Sequence, residues 1–210
     1  MGRPPVPFLR VNVPPLVLAS ASPARLRLLR DAGFDPQVRV SGVDESAVSA
    51  DDPRDLVREL ASRKAAAVAL VLDVGLVVGC DSMLVLEGEV LGKPADAAQS
   101  VARWHRMRGR TGTLLTGQVV LDAASGRAAS GVAATDVHFG TPSDEEVAAY
   151  VDSGEPLHVA GAFTLDGRSA PFVERIDGDP GTVIGLSLPL LRRQLAELGV
   201  RLIDLWRRSP

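Results

Sequence analysis

The segment that most constrains the fold is residues 16–33, where a short apolar run passes through a serine pair directly into a helix. The apolar run is typical of a strand buried on both faces of an α/β sheet. Ser22 has the chemistry of a helix N-cap, and Pro23 fits the first helical turn, where its missing N–H costs nothing. The free N–H groups and the dipole of such a helix start favour an anion, phosphate above all. The residues predicted to contact phosphate here are Ser20, Ser22 and Arg25.

Strand and helix patterns alternate along the rest of the chain, which predicts an α/β fold. Helices are predicted over residues 23–32, 53–72, 95–108, 143–151 and 187–198. Strands are predicted over residues 16–19, 37–40, 76–78, 83–86, 90–91, 113–121, 128–139 and 172–176. Two of the strand pairs have hairpin patterns, so the sheet is expected to be mixed rather than purely parallel. The predicted fold is therefore a mixed twisted sheet flanked by helices, with two lobes around a cleft.

The composition limits the classes of partner and compartment. A formal net charge of -3 argues against a nucleic-acid-binding surface, which normally has a basic excess. One cysteine, Cys80, allows no intrachain disulfide and fits a reducing compartment. The longest near-apolar stretch, residues 65–80, is too short for a bilayer span of about 20 residues. Residues 1–14 are proline-rich and lack a signal-peptide pattern, so we expect a flexible leader on a cytoplasmic protein without a membrane segment.

Two acidic positions are candidates for chemistry. Asp81 follows a buried apolar strand and a glycine, where a carboxylate can act as a general base or hold a metal. The alternative, a turn or cap residue, carries equal weight from sequence alone. Glu45 follows Asp44 in a second acidic cluster after the strand over residues 37–40. A solvated loop is the simpler interpretation of that cluster, because acidic side chains are usually exposed.

Lys64 and Lys93 are the only two lysines in a chain whose other basic residues are arginine. Their retention suggests that a compact ammonium is needed, as phosphate oxygens often require, although Lys64 could equally extend its stem along a helix face. The segment around Lys93 is not a Walker A loop, and no dinucleotide-binding glycine fingerprint occurs. The three histidines are far apart, which argues against zinc. Any metal is therefore expected to be a hard cation bound by carboxylates, Mg²⁺ or Mn²⁺.

Five glycines between residues 155 and 185 indicate a series of tight turns. Glycines also allow a backbone to approach a flat ligand closely. The segment could therefore form one wall of a pocket for a nucleobase, and both interpretations stay open at this point.

These short motifs, in this order, resemble the Maf (septum formation) family of nucleotide pyrophosphatases over about residues 16–202. The matching motifs are Ser20-Ala21-Ser22-Pro23 with Arg25, Asp44-Glu45, Lys64-Ala65, Gly79-Cys80-Asp81-Ser82, Gly92-Lys93-Pro94, and residues 160–163 and 183–188. The resemblance implies a single Maf-like catalytic domain over residues 15–206, with a fold similar to Maf and ITPase proteins. It also implies a homodimer, which is common in the family.

The activity that the resemblance implies is hydrolysis of a nucleoside triphosphate to the monophosphate and pyrophosphate. In that reading Asp81 accepts the proton of the attacking water and, with Glu45, holds a divalent cation. The triphosphate would be bound by the residues already named at the helix start, Ser20, Ser22 and Arg25, and by Lys64 and Lys93. We expect the Asp81 carboxylate to stay ionised among these cations without a large upward shift of its pKa.

Two positions depart from the pattern of family members that resemble dTTP/UTP hydrolases. Those members have arginine where this chain has Ala24, and glutamine where it has Asp166. An acid at position 166 resembles the branch that acts on 7-methyl-GTP, because a carboxylate can accept hydrogen bonds from a guanine N1–H and amino group. Asp166 is thus a candidate substrate-binding residue, and the preferred base stays open. A removal of non-canonical or modified nucleotides is the leading hypothesis. The alternative is a nucleotide-binding regulator of septum formation, linked to cell-division arrest, that needs no turnover.

Overall fold

A computed structural model describes residues 14–207 of the chain. The leader predicted for residues 1–14 lies, except for Pro14, outside the described residues. The strands are β1 (Leu16–Leu18), β2 (Gln37–Val38), β3 (Leu76–Leu86), β4 (Glu89–Leu91), β5 (Thr111–Asp122), β6 (Ala128–Phe139) and β7 (Val173–Asp177). The helices are α1 (Pro23–Asp31), α2 (Pro53–Ala69), α3 (Ala97–Met107), α4 (Asp144–Asp152), α5 (Pro180–Ile184) and α6 (Leu188–Glu197).

The described residues form one seven-stranded sheet with the order β2-β1-β3-β5-β6-β7, and β4 pairs with β3. Strands β2, β1 and β3 are parallel, whereas β3, β5, β6 and β7 are joined by antiparallel ladders. The sheet is mixed because the hairpin of β5 and β6 adds antiparallel strands beside a parallel β1–β3 crossover. The predicted mixed α/β sheet flanked by helices is confirmed.

The prediction of separate strands over residues 76–78 and 83–86 was wrong, because β3 runs unbroken from Leu76 to Leu86. Its partner β5 pairs with it along nearly this whole length, and Asp81 lies opposite Gly117 within the ladder. The polar residues interrupt the apolar pattern but do not interrupt the hydrogen bonding. Asp81 is therefore a mid-strand residue rather than a residue of a strand end.

The other edge of β3 has a gap between two short strands. Strand β1 pairs only with Leu76–Val78, and β4 pairs only with Leu84–Leu86. Residues 79–83 consequently have a strand neighbour on one side only. This gap in the sheet is where a ligand can approach β3 from the side, and Asp81 lies at its centre.

Helix α2 lies unusually close to the sheet next to this gap. A Cβ on Gly79 would lie 2.2 Å from the carbonyl oxygen of Ala61, and a Cβ on Gly117 would lie 2.1 Å from that of Val57. Only residues without side chains permit this approach. The close packing brings the inner face of α2, which includes Lys64, against the face of β3 that carries Asp81.

The buried core divides into clusters on both sides of the sheet. Helices α1 and α6 cover one cluster around Leu18, Val78 and Leu186. Another, under α3 and α4, is built around the buried Trp104, whose ring makes edge-to-face contacts with three other aromatic rings. A capping box formed by Ser143 and Glu146 is present at the start of α4, which was predicted over residues 143–151. No helix among residues 14–207 is long and apolar enough to cross a membrane.

Candidate active site

A cavity of about 670 Å³ opens at the gap in β3. All eight residues that the sequence nominated line this one cavity: Ser20, Ser22, Arg25, Glu45, Lys64, Asp81, Lys93 and Asp166. They come from α1, α2, β3 and four separate connecting segments. The parallel β1–β3 pairing places the start of α1 beside the middle of β3, and this explains why residues far apart in sequence meet here.

The guanidinium of Arg25 crosses the gap and donates hydrogen bonds to neutral oxygen atoms. Its Nε donates to the carbonyl of Gly185 at 2.7 Å, and its Nη1 donates to Ser20 Oγ and to the carbonyl of Cys80, each at 3.1 Å. Its Nη2 donates to Ser82 Oγ at 3.1 Å. Because none of these acceptors is a carboxylate, the guanidinium is fixed in place while its charge stays available to an anion.

The start of α1 has the geometry that the sequence predicts. The side chain of Ser22 accepts a hydrogen bond from the backbone N–H of Arg25 at 3.3 Å, and Pro23 occupies the first turn. Ser20 is buried and its hydroxyl accepts the backbone N–H of Ser22. The turn is therefore preorganised before any ligand is bound.

Lys64 forms a bridge between two carboxylates. Its Nζ lies 2.6 Å from Asp81 Oδ1 and 2.7 Å from Glu45 Oε1. Lys64 and Asp81 are only 7% and 6% exposed, whereas the side chain of Glu45 is half exposed. The alternatives of a turn residue for Asp81 and a solvent-directed stem for Lys64 are both wrong, since the two side chains form a buried ion pair.

The pKa values of the two carboxyl groups shift in opposite directions. Burial raises the pKa of Asp81 above its usual value, although the charges of Lys64 and Arg25 and the hydrogen bond from Lys64 act against this. Partial burial also favours the neutral form of Glu45. This effect of burial is outweighed by the hydrogen bond and charge of Lys64 and by the charges of Lys93 and Arg25. The pKa of Glu45 is therefore lowered. The ionised state expected for Asp81 thus depends on Lys64.

Lys93 and Asp166 also line the cavity. Lys93 is exposed and follows Gly92 directly after β4. Asp166 forms an ion pair with Arg27 of α1, which joins α1 to the loop of residues 163–169. The segment of residues 158–164 and the side chains of Met83, Leu114 and Val183 supply the apolar part of the lining. The cavity lining therefore combines cationic and apolar side chains, as a phosphorylated ligand with a flat ring would require.

Sequence reasoning missed several groups that support Arg25. Ser82 also shares a 2.8 Å hydrogen bond with Thr116 Oγ1, which donates to the carbonyl of Thr182. Ser82 stands next to Asp81 in a motif that the sequence singled out, so an adjacent signal existed. The carbonyl of Gly185 gave none, because its contact with Arg25 spans 160 residues and involves no side chain.

The acidic residues fit a cation that is shared with a phosphorylated ligand. Within the part of the chain that the structure describes, no three His, Cys, Asp or Glu residues form a metal-binding group. Asp81 and Glu45 nevertheless converge on a single cation, the ammonium of Lys64. Two carboxylates with phosphate oxygens are a donor set that suits Mg²⁺.

Comparison with known proteins identifies relatives over nearly the whole chain. A family model described as Maf-like protein matches residues 15–198. A protein from Streptomyces coelicolor named nucleoside triphosphate pyrophosphatase is 64% identical over 193 residues, covering 91% of this chain and 94% of the relative. Proteins with the same name from Salinispora tropica and Microcystis aeruginosa are 57% and 50% identical, and cover 92% and 91% of this chain. The alignments to these two cover 88% and 98% of the relatives themselves.

Proposed function

The chain belongs to the Maf-like protein family, and from this premise we propose that it cleaves a nucleoside triphosphate into the monophosphate and pyrophosphate. It is a hydrolase of acid anhydrides, as its relatives' name describes. The observation that carries the proposal is the buried Asp81–Lys64 pair, which lies in one cavity with Arg25 and Lys93. That combination offers a proton acceptor and separate positive charges for phosphate oxygens.

Asp81 is proposed as the proton acceptor. Lys64 occupies its Oδ1, and among residues 14–207 no group donates a hydrogen bond to its Oδ2. A water molecule would attack a phosphorus atom of the α–β anhydride bond while its proton passes to Asp81. The bond from that phosphorus to the bridging oxygen would break, and the monophosphate and pyrophosphate would separate. The upward direction of its pKa makes Asp81 a better base than an exposed aspartate.

The cationic residues are proposed to bind the triphosphate. Neutral acceptors fix the geometry of Arg25, and the exposed Lys93 lines the same cavity. The hydroxyl groups of Ser20 and Ser22 lie at the helix start. Phosphoryl transfer depends mainly on charge neutralisation and on the position of the attacking water. Cationic and hydroxyl groups held in fixed positions would neutralise the phosphate charge and fix the triphosphate relative to the attacking water, without covalent participation of the protein.

A divalent cation, Mg²⁺ or Mn²⁺, is proposed to bind at Glu45 and Asp81. When bound there it would neutralise charge on the phosphate oxygens. The lowered pKa of Glu45 keeps this carboxylate ionised and able to act as a ligand. Lys64 holds both carboxylates close together, and an ammonium between them keeps their mutual repulsion small in the free protein.

Asp166 is proposed to contact the nucleobase. One of its oxygens pairs with Arg27, and its second oxygen could accept a hydrogen bond from a ring N–H or amino group. Such an acceptor suits a guanine-type base, as in 7-methyl-GTP, whose N1–H lies beside an amino group, but thymine and uracil also present a ring N–H, so dTTP and UTP stay among the candidate substrates. We further propose that the protein is a cytoplasmic homodimer and that residues 15–206 form its catalytic domain. Its proposed role is the removal of modified nucleotides.

A nucleotide panel tests the reaction. Purified protein with Mg²⁺ or Mn²⁺ should release pyrophosphate from at least one triphosphate, and Asp81→Asn should abolish release while the variant keeps its circular-dichroism spectrum. Release of orthophosphate instead would show that a different bond is cut. The same variant separates catalysis from a turnover-free role in septum formation: if Asp81→Asn still arrests cell division when overproduced, nucleotide binding alone suffices.

A further inference from the structure

Helix α3 does not line the cavity, yet two of its adjacent side chains reach the segments that do. Arg103 Nη1 donates to the carbonyl of Gly92 at 2.6 Å. The buried indole of Trp104 donates to the carbonyl of Ala162 at 2.9 Å. Gly92 precedes Lys93, and Ala162 lies between Ala160 and Phe163, which line the cavity; residues 159–163 are called the apolar wall below. One helix thus holds both the segment that carries Lys93 and the neighbouring segment of the apolar wall.

The carbonyl of Gly92 is the point where the two segments meet. Besides the guanidinium of Arg103, it accepts the backbone N–H of Gly161 at 3.0 Å. Arg103 Nη2 also donates to Gln99 Oε1 at 2.9 Å, and that oxygen accepts the backbone N–H of Ala95 at 2.8 Å. The guanidinium therefore ties the chain on both sides of Lys93 to α3.

The wall segment has a backbone conformation that its surroundings must maintain. Gly161 has φ 72° and Ala162 has φ 60°, and the second is a left-handed conformation that residues with a side chain rarely adopt. A Cβ on Gly161 would lie 2.9 Å from Leu84 Cβ, so this turn lies tightly on β3. Strained backbone of this kind persists only where neighbouring contacts enforce it, and it is concentrated at functional sites.

We propose that Arg103 is a positioning residue that sets the place of Lys93 relative to the wall of residues 159–163, with Trp104 securing the wall itself. The inference rests on the proposed function, because it assumes that Lys93 binds the triphosphate. Through the shared carbonyl of Gly92, a shift of the lysine segment also shifts Gly161. Arg103 consequently couples the phosphate-binding end of the cavity to its base-binding end.

Arg106 provides a matched control on the same helix. It is partly exposed and forms an ion pair with Glu89 of β4 at 2.7 Å. Among residues 14–207 it donates no hydrogen bond to residues 92, 93 or 161. The ion pairs of residues 14–207 include Arg106 but not Arg103, whose acceptors are carbonyl and amide oxygens. Loss of either arginine removes the same charge from α3.

The test compares wild type, Arg103→Met, Arg103→Lys and Arg106→Met. We expect Arg103→Met to raise KM for the preferred triphosphate about tenfold, which equals about 1.4 kcal/mol of lost binding, with kcat changed far less. Affinity for inorganic tripolyphosphate, measured by calorimetry, should fall by a similar factor. Arg103→Lys should recover part of this loss, because lysine can donate to one carbonyl. Arg106→Met should match wild type in KM and in tripolyphosphate affinity.

Several results would overturn the inference. Equal KM and equal tripolyphosphate affinity in Arg103→Met and Arg106→Met would show that Arg103 only stabilises the fold, whatever its effect on the melting temperature. Wild-type protein that binds no tripolyphosphate would remove the basis of the inference directly. A wild type that binds tripolyphosphate but cleaves no nucleotide would refute the proposed function alone, and the binding comparison would still decide the role of Arg103.

Discussion

Removal of the Lys64 ammonium should destabilise the protein in a way that depends on pH. In Lys64→Met the Asp81 carboxyl, 6% exposed, loses the cation 2.6 Å from its Oδ1. Breaking one side of a buried ion pair costs about 3–5 kcal/mol, because the remaining charge is left without a partner. Since the cavity admits some water to Asp81, we expect the lower end, about 3 kcal/mol at pH 8. That corresponds to a melting temperature lower by roughly 6–12 °C.

The sign of the pH dependence follows from the direction of the Asp81 pKa. Burial already raises this pKa in the native protein while Lys64 acts to lower it, so the variant's folded-state pKa must lie higher still. At pH values above its pKa in the unfolded state, a carboxyl whose pKa is raised by folding lowers the free energy of unfolding. This cost disappears at pH values where the carboxyl is protonated in both the folded and the unfolded protein. The loss in Lys64→Met should therefore be largest at pH 8 and shrink as the pH falls towards about 4, the usual value for aspartate.

Urea unfolding of wild type and Lys64→Met between pH 4.5 and 8 measures this effect. Lys93→Met is the control, because Lys93 is exposed and forms no ion pair with residues 14–207; its change should stay within about 0.5 kcal/mol at every pH. Lys64→Met/Asp81→Asn should be more stable at pH 8 than Lys64→Met alone. A loss of equal size at both ends of the pH range, or no recovery in the double variant, would refute the account of the pair.

Two further substitutions or probes test the packing at the gap. Gly117→Ala should lower the free energy of unfolding by at least about 2 kcal/mol, because its Cβ would lie 2.1 Å from the carbonyl oxygen of Val57. Gly92→Ala is the control: no atom lies within 4 Å of its Cβ, so it should not lower the free energy of unfolding by this amount. Equal urea midpoints for the two variants would contradict the close approach of α2. Cys80 is fully buried and burial raises its pKa to about 11, so its thiol should resist alkylation at pH 8 until the protein is unfolded. Rapid labelling of native protein would mean that the sheet opens at this point.

The sequence predicted the residues of the cavity better than the path of the chain between them. Ser20, Arg25, Lys64 and Asp81 belong to short motifs whose chemistry is visible locally, and they line one cavity. Helix limits were predicted well where caps exist, as at Ser143. The glycines between residues 155 and 185 predicted tight turns, and short turns are present at residues 155–158, 160–162 and 170–172. Helix α5 was missed, because a segment of five residues leaves no periodic pattern.

The continuity of β3 could not be predicted from its own residues. Polar Asp81 and Ser82 interrupt an apolar run, and the signal that keeps them in a strand is their pairing with Gly117 and Thr116 of β5. Those partners lie more than 30 residues further along the chain. The same applies to the proposed role of Arg103, because the carbonyl of Gly92 that accepts its hydrogen bond also accepts the backbone N–H of Gly161, 58 residues beyond Arg103. Contacts of this kind belong to the tertiary structure and not to any local motif.

The way Arg25 is held explains how a chain with net charge -3 can attract a polyanion. An arginine fixed by carboxylates would present little charge to a ligand, because its partners would neutralise it. Carbonyl and hydroxyl oxygens at 2.7–3.1 Å orient the guanidinium of Arg25 equally well and leave its charge intact. Lys64, by contrast, is neutralised by Asp81 and Glu45. Two uses of positive charge are therefore proposed for the cavity: Arg25 is available to an incoming anion, and Lys64 keeps a buried carboxylate ionised beside it.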